Sequence, residues 1–167
     1  MVKGIAELQR EFYQRARQLQ LKVDCPPDGA FFSEIAIVAE APGEREVQTR
    51  VPLSGGSGGL LWTILRKYNL DRRKVYVTNV IKKQMSLSSS RYSDARASIS
   101  NAELSHWQGL LEWELSLLPN LKYIIVLGST ALRTLTREQK ITDWRGSVLQ
   151  VNLRGRSISC LATYNPA

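Results

Sequence analysis

Three carboxylates crowd the segment "AEAPGERE", where Glu40, Glu44 and Glu46 bracket a Pro-Gly pair in a chain that is otherwise basic. Acidic groups gathered in this way admit two readings. A carboxylate can orient water or stabilise the positive charge that develops on a sugar as a glycosidic bond breaks through an oxocarbenium-like state. Alternatively, the segment is a solvated acidic turn balancing nearby arginines. Downstream, "VPLSGGSGGLL" mixes glycine and serine ahead of an apolar run, so backbone N–H groups around Ser54 and Gly55 can approach a phosphate or a base closely; a flexible surface loop is the other reading. Its spacing matches neither G-x-x-x-x-G-K-[ST] nor G-x-G-x-x-G directly after a strand, which argues against nucleoside triphosphate and dinucleotide sites.

"TNVIKK" places Asn79 near the end of an apolar strand. Its amide donates and accepts at once, which suits a pyrimidine edge, although an isolated asparagine also serves as a capping or turn residue. Lys82 and Lys83 follow directly and are expected to meet phosphates. "LGST" brings Ser129 to a further strand end, and "TYNPA" brings Asn165, which Pro166 biases toward extended backbone. The only histidine, His106, reads as a structural or surface residue, and Trp107 and Trp113 on the same helical stretch read as core.

The elements that must position these residues follow from hydrophobic period. Ile5, Leu8, Phe12, Ala16 and Leu19 recur at helical spacing, so residues 1–24 are expected to hold a helix packed on the core. "EIAIVAE" is continuously apolar and reads as a strand buried on both faces. Leu60, Leu61, Ile64, Leu65 and Tyr68 mark a second helix, and "KVYVTNVI" a second strand, completing a βαβ unit. A polar stretch from Lys82 to Ser98 is expected to be a loop. "AELSHWQGLLEWELSLL", "YIIVLGS" and "STALRTLT" read as helix, strand and short helix, and "SVLQVNLRGRSISCLATYN" as two strands around an "RGR" turn. The alternation implies a parallel sheet covered on both faces, with "AEAPGE", "TNVIKK", "LGST" and "TYNPA" converging at the carboxyl ends of its strands.

Size and charge bound the rest. The 167 residues suffice for a single domain, 1–167. Lysine and arginine outnumber aspartate and glutamate by 23 to 15, and the pI near 9.8 suits a polyanionic partner. No apolar run approaches the roughly 20 residues that cross a bilayer, so an intracellular protein without a membrane partner is expected. Cys25 and Cys160 stand far apart without CxxC spacing, which suggests reduced thiols, no zinc site and no metal or other cofactor.

Taken in order, "AEAPGERE", "VPLSGGSGGLL", "VYVTNVIKK", "YIIVLGSTAL", "WRG" and "TYNPA" resemble the uracil-DNA glycosylase superfamily, most closely its family 4, the iron-sulfur type, with a further similarity to the amino-terminal domain of some phage DNA polymerases. The resemblance spans about residues 34–167. It implies a three-layer α/β/α sandwich around a central four-stranded parallel sheet, and a DNA substrate with one pyrimidine flipped from the stack. It places Glu40 beside the flipped base, Glu44 or Glu46 near the water that attacks the sugar, the backbone around Ala41 and Leu53 against the base, and Asn79 on its edge. Ser54, Gly55, Lys82, Lys83 and Ser129 fall on the DNA side. Asn165 takes the place of the histidine of the family's "HP" motif, which stabilises the departing base. A monomer is expected, nucleoid-associated, and association with a polymerase follows from the phage similarity.

The departures are specific. Iron-sulfur members carry four cysteines; here only Cys25 lies in the N-terminal region, while Lys83 and about Trp107 occupy two other places, so the cluster is not expected. The aromatic that stacks on uracil becomes Leu53, which gives up a π face and widens the pocket, so that a bulkier modified pyrimidine is as plausible a substrate as uracil. Asn165 can donate a hydrogen bond but cannot become cationic. The sequence ends before the family's duplex-wedging loop, which implies either a chain cut short or one that works without the wedge. Two functions follow: a glycosylase leaving an abasic site, or an inactive glycosylase fold that grips DNA. A Rossmann-like enzyme is a third and weaker reading.

Overall fold

The computed structural model describes residues 4–85 and 99–166. Residues 86–98, most of the polar stretch expected as a loop, lie outside the described residues. The chain runs α1 (Ile5–Gln18), β1 (Asp28–Gly29), β2 (Ile35–Ala39), α2 (Glu44–Thr49), α3 (Gly56–Arg66), β3 (Tyr76–Asn79), α4 (Asn101–Ser116), β4 (Tyr123–Leu127), α5 (Ser129–Thr136), α6 (Ile141–Trp144), β5 (Val148–Leu153) and β6 (Arg156–Thr163). Helices α1, α3, α4 and α5 fall where the apolar period places them, whereas the short α2 and α6 were not expected; α4 opens on Ser100, whose hydroxyl accepts from the Glu103 N–H.

The sheet has six strands in the order β1-β3-β2-β4-β6-β5. Its centre is the expected parallel four: β3, β2, β4 and β6 pair in parallel. The sheet is mixed rather than purely parallel, because β1 and β5 add antiparallel edges. The β5–β6 hairpin turns at Arg154 and Gly155, with φ of 50° and 89°. Positive φ at both central residues is the primed turn that matches strand twist, which accounts for the "RGR" signal.

Strand alternation explains the continuous apolar runs. Ala36 and Val38 of β2 join a large core with Phe12, Trp107, Leu110, Leu111 and Ile124. Ile37 and Ala39 join a smaller core on the opposite face with Leu53, Trp62, Val77 and Leu127. Every residue of β2 therefore has a dry side to face. Trp107 and Trp113 are buried in the large core, and His106 is exposed.

The stripe expected on α3 is only partly inward. Leu61 and Leu65 pack on the smaller core beside Trp62, but Leu60, Ile64 and Tyr68 are exposed. The reason lies at Gly58: an added Cβ there would stand 2.0 Å from the Leu53 carbonyl oxygen. The helix turns its glycine toward that loop, and Trp62, four residues on, follows inward on the same face.

Candidate active site

The four strand ends converge as the alternation requires. Ala39 pairs with Asn79 across β2 and β3, and the N–H groups of Val80 and Ile81 donate to the carbonyls of Ala39 and Glu40. From the next strand, Thr130 in the first turn of α5 donates its hydroxyl to Glu40 Oε2 at 2.7 Å. Gly128, with φ of 88°, lies close enough to Asn165 that an added Cβ would stand 3.2 Å from the Asn165 Cβ. Its N–H donates to the Thr163 carbonyl at 2.9 Å. Glu40, Asn79, Ser129 and Asn165 thus share one end of the sheet.

The three carboxylates have different surroundings. Glu40 is half-buried and held by Thr130. Glu44 is exposed at the start of α2. Glu46 is buried, and its Oε1 accepts from the Gly55 N–H at 3.2 Å. A Cβ at Gly43 would stand 2.7 Å, and one at Gly55 3.0 Å, from the Glu46 carboxylate. Glu46 therefore ties the Pro-Gly turn to the glycine loop, and the Gly55 N–H that the sequence left open to a phosphate is occupied.

Leu53 sits at the lip of the glycine loop, buried, with φ of 54°. A leucine in the left-handed region costs of order 1–3 kcal/mol and persists only where its surroundings impose it. Here Trp62 Nε1 donates to the Leu53 carbonyl at 3.0 Å, and Arg72 reaches the carbonyls of Pro52 and Leu53. Arg72 also lies over the Trp62 ring and 3.5 Å from Asp28. Burial lowers its pKa, and Asp28 partly offsets that. Ser54 bonds to the Thr49 hydroxyl at 2.8 Å, and Ala41 packs against the large core.

The two lysines do not behave as sequence position suggests. Lys82 is fully buried; its ammonium lies 2.8 Å from Glu114 Oε2 and donates to the Asn79 carbonyl at 2.7 Å. A phosphate contact from Lys82 is corrected accordingly: its partner lies inside the protein, on α4. Lys83 is partly exposed but paired with Glu103 at 2.5 Å. Sequence reasoning missed Thr130, Arg72, Trp62 and Glu114. Thr130 had a weak signal in its place beside Ser129 at a strand end, whereas the others act through partners distant in sequence.

The residues present do not fit an iron-sulfur cluster. Among the described residues no group of three or more His, Cys, Asp or Glu side chains could hold a metal ion. Lys83 and Trp107, which take two of the cysteine places, both contact Glu103, the indole donating to its carboxylate at 3.2 Å. Burial, then the nearby Glu46, pushes the Cys25 thiol up to about 11. Burial alone pushes that of Cys160 up to about 12.

A cavity of about 250 Å³ lies elsewhere, between α1, β1 and the end of α4. It is lined by Phe12, Tyr76, Trp113 and Glu114 and by none of Glu40, Asn79, Ser129 and Asn165. No helix among the described residues is long and apolar enough to cross a membrane.

A family model described as the Uracil DNA glycosylase superfamily matches residues 26–167. A type-4 uracil-DNA glycosylase of Pyrobaculum aerophilum is 28% identical over 147 residues, which cover 85% of this chain and 70% of the relative. One of Thermotoga maritima is 28% identical over 142 residues, covering 84% and 68%. One of Sulfurisphaera tokodaii is 40% identical over 58 residues, covering 34% and 26%.

Proposed function

The chain belongs to the uracil DNA glycosylase superfamily, and from that premise we propose that it hydrolyses the N-glycosidic bond of a pyrimidine flipped out of DNA. The observation that carries this reading is the meeting of Glu40, Asn79 and Asn165 at one end of the sheet, on three different strand ends.

In the proposed reaction the bond between the sugar C1′ and the base nitrogen breaks with its electron pair leaving on the base. The Asn165 amide donates a hydrogen bond to the departing base and the Asn79 amide reads its edge. Glu40, fixed by Thr130, lies beside the base and the cationic sugar. Glu44, exposed at the start of α2, would orient the attacking water and take its proton; the abasic site forms, the base leaves as its anion, and the anion takes a proton from solvent while Glu44 returns its own to solvent. Glu46 keeps the glycine loop seated. Leu53 offers no aromatic face, so the proposed substrates are uracil and bulkier modified pyrimidines. The chain would act as a single-domain monomer on DNA inside the cell; association with a polymerase is carried by the phage similarity alone.

The test is incubation with oligonucleotides containing uracil or 5-substituted pyrimidines, then alkali to cleave abasic sites. Cleavage at one base is expected, together with its loss in Glu40→Ala or Glu44→Ala while DNA binding persists. Unchanged excision in both variants overturns the assignment of roles. The second reading, an inactive DNA-binding module, is favoured by Asn165, which cannot become cationic as an imidazole does; intact DNA across the panel with binding retained would select it. Binding in either case should weaken as salt rises, through counterion release.

A further inference from the structure

Lys82 carries a fully buried ammonium, placed three residues beyond the amide proposed to read the base. Its side chain is fully buried, and that of Glu114 is 3% exposed. The pair is completed by Tyr76, whose hydroxyl donates to Glu114 Oε1 at 3.0 Å. Burial, and next the Glu114 carboxylate, raise the Tyr76 pKa well above its usual value, which keeps the phenol a neutral donor. A buried pair of this kind gives little net stability against an apolar replacement, so its presence calls for a second account.

Geometry supplies one. The ammonium spans two layers of the molecule: Glu114 belongs to α4 in the helical layer, and the Asn79 carbonyl belongs to the last residue of β3. Val77 faces the smaller core, so by strand alternation Asn79 projects to that face, on the side of Ala39 and Leu53. Lys82 therefore grips the Asn79 peptide from the face opposite the side chain. The Lys82 carbonyl is itself fixed, because it accepts from the N–H groups of Asp24 and Cys25 at 2.8 and 3.0 Å. The turn from Asn79 to Lys82 is held at both ends, by the ammonium on one carbonyl and by the N-terminal segment on the other.

We propose that Lys82 is a positioning residue for base recognition: anchored by Glu114, it fixes the Asn79 peptide and so sets the direction in which the Asn79 amide meets the pyrimidine edge. The proposal rests on the reading of Asn79 as the base-reading residue. It explains a lysine placed where a phosphate contact would be expected and yet wholly withdrawn from DNA. The class of ligand is unchanged; what is added is the device that gives the amide one orientation, on which discrimination between uracil and cytosine depends.

The test uses the full chain and the paired variant Lys82→Met with Glu114→Gln, which removes both charges and keeps an acceptor for Tyr76. Its melting temperature is expected to stay near that of the parent, since a neutral pair replaces a buried ionic one. Two readouts then separate positioning from mere structure. The preference for uracil over cytosine, measured as the ratio of kcat/KM, is expected to fall about tenfold or more, since small misplacements of a contact group cost up to roughly 100-fold. The side-chain amide resonances of Asn79 are expected to shift in NMR spectra while those of the exposed Asn101 do not, a readout that needs no activity.

An unmoved Asn79 resonance, or an unchanged preference in the paired variant when Asn79→Ala abolishes it, overturns the proposal. If Asn79→Ala itself leaves the preference intact, the reading of Asn79 has failed instead. Unfolding of the paired variant and of Glu114→Gln alone would assign the pair to the fold and likewise overturn the proposal.

Discussion

On one face of the sheet Phe12, Trp107, Trp113 and the leucines of α4 close a core with a buried ion pair inside it. On the other, Ile37, Ala39, Val75, Val77 and Leu127 form a smaller cluster with Leu53 and Trp62, on which Leu61, Leu65 and Leu70 pack. The second face also carries Leu53, whose φ is in the left-handed region, and Gly58, where an added Cβ would meet the Leu53 carbonyl. Stability and site geometry are thus divided between the two faces. The large core can hold the strand ends rigid while the small one tolerates a loop whose conformation Trp62, Arg72 and Glu46 impose on it.

The largest expected effect tests the stabilising half of that division. Trp107→Ala removes a fully buried indole from the large core and should cost about 3–5 kcal/mol in chemical denaturation. Because the Trp107 indole bonds Glu103 rather than Glu40, Asn79 or Asn165, the fraction that remains folded should keep its excision rate per molecule. A lost rate in fully folded protein would break the comparison.

Gly58→Ala is the matching test on the small face. The new methyl would meet the Leu53 carbonyl, which is backbone and cannot swing away. A stability loss of about 1–3 kcal/mol is expected from such overpacking. The rate should fall further than the unfolded fraction accounts for, because the displaced loop is the one proposed to face the base. Equal losses in stability and rate would remove any special link between this face and the site.

What the sequence disclosed divides along the same line. The run "EIAIVAE" is legible because both faces of β2 are dry, so its apolarity is local and continuous. The large-core stripe of α1 is legible for a similar reason: Phe12 and Ala16 are buried at helical spacing. Convergence of the motifs followed from alternation alone. The withdrawal of Lys82 was not legible, because nothing in "NVIKK" distinguishes one lysine from the next; the distinction is made by Glu114, on a helix whose sequence reads as apolar. Glu46 was hidden in the same way, its loop-tying role depending on the Gly55 N–H rather than on any neighbour in "ERE". The α3 stripe misled because its apolar residues cover a wider arc than the core can take, and the choice of face is made by Gly58.

That choice gives the smallest expected effect and the finest test. Leu60 is 53% exposed, whereas Leu61 packs on the smaller core beside Trp62. Leu60→Lys should therefore change stability by no more than about 0.5 kcal/mol, as surface substitutions do. Leu61→Lys should cost more, because its ammonium must leave an apolar contact to reach water, although the long aliphatic stem softens the loss. Both are measured by thermal unfolding of otherwise identical chains. If the two costs were reversed, α3 would be rotated about its axis, Gly58 would no longer face Leu53, and the Trp62 indole that holds the Leu53 carbonyl would be turned away. The order of two adjacent leucines thus checks the placement of the whole glycine loop.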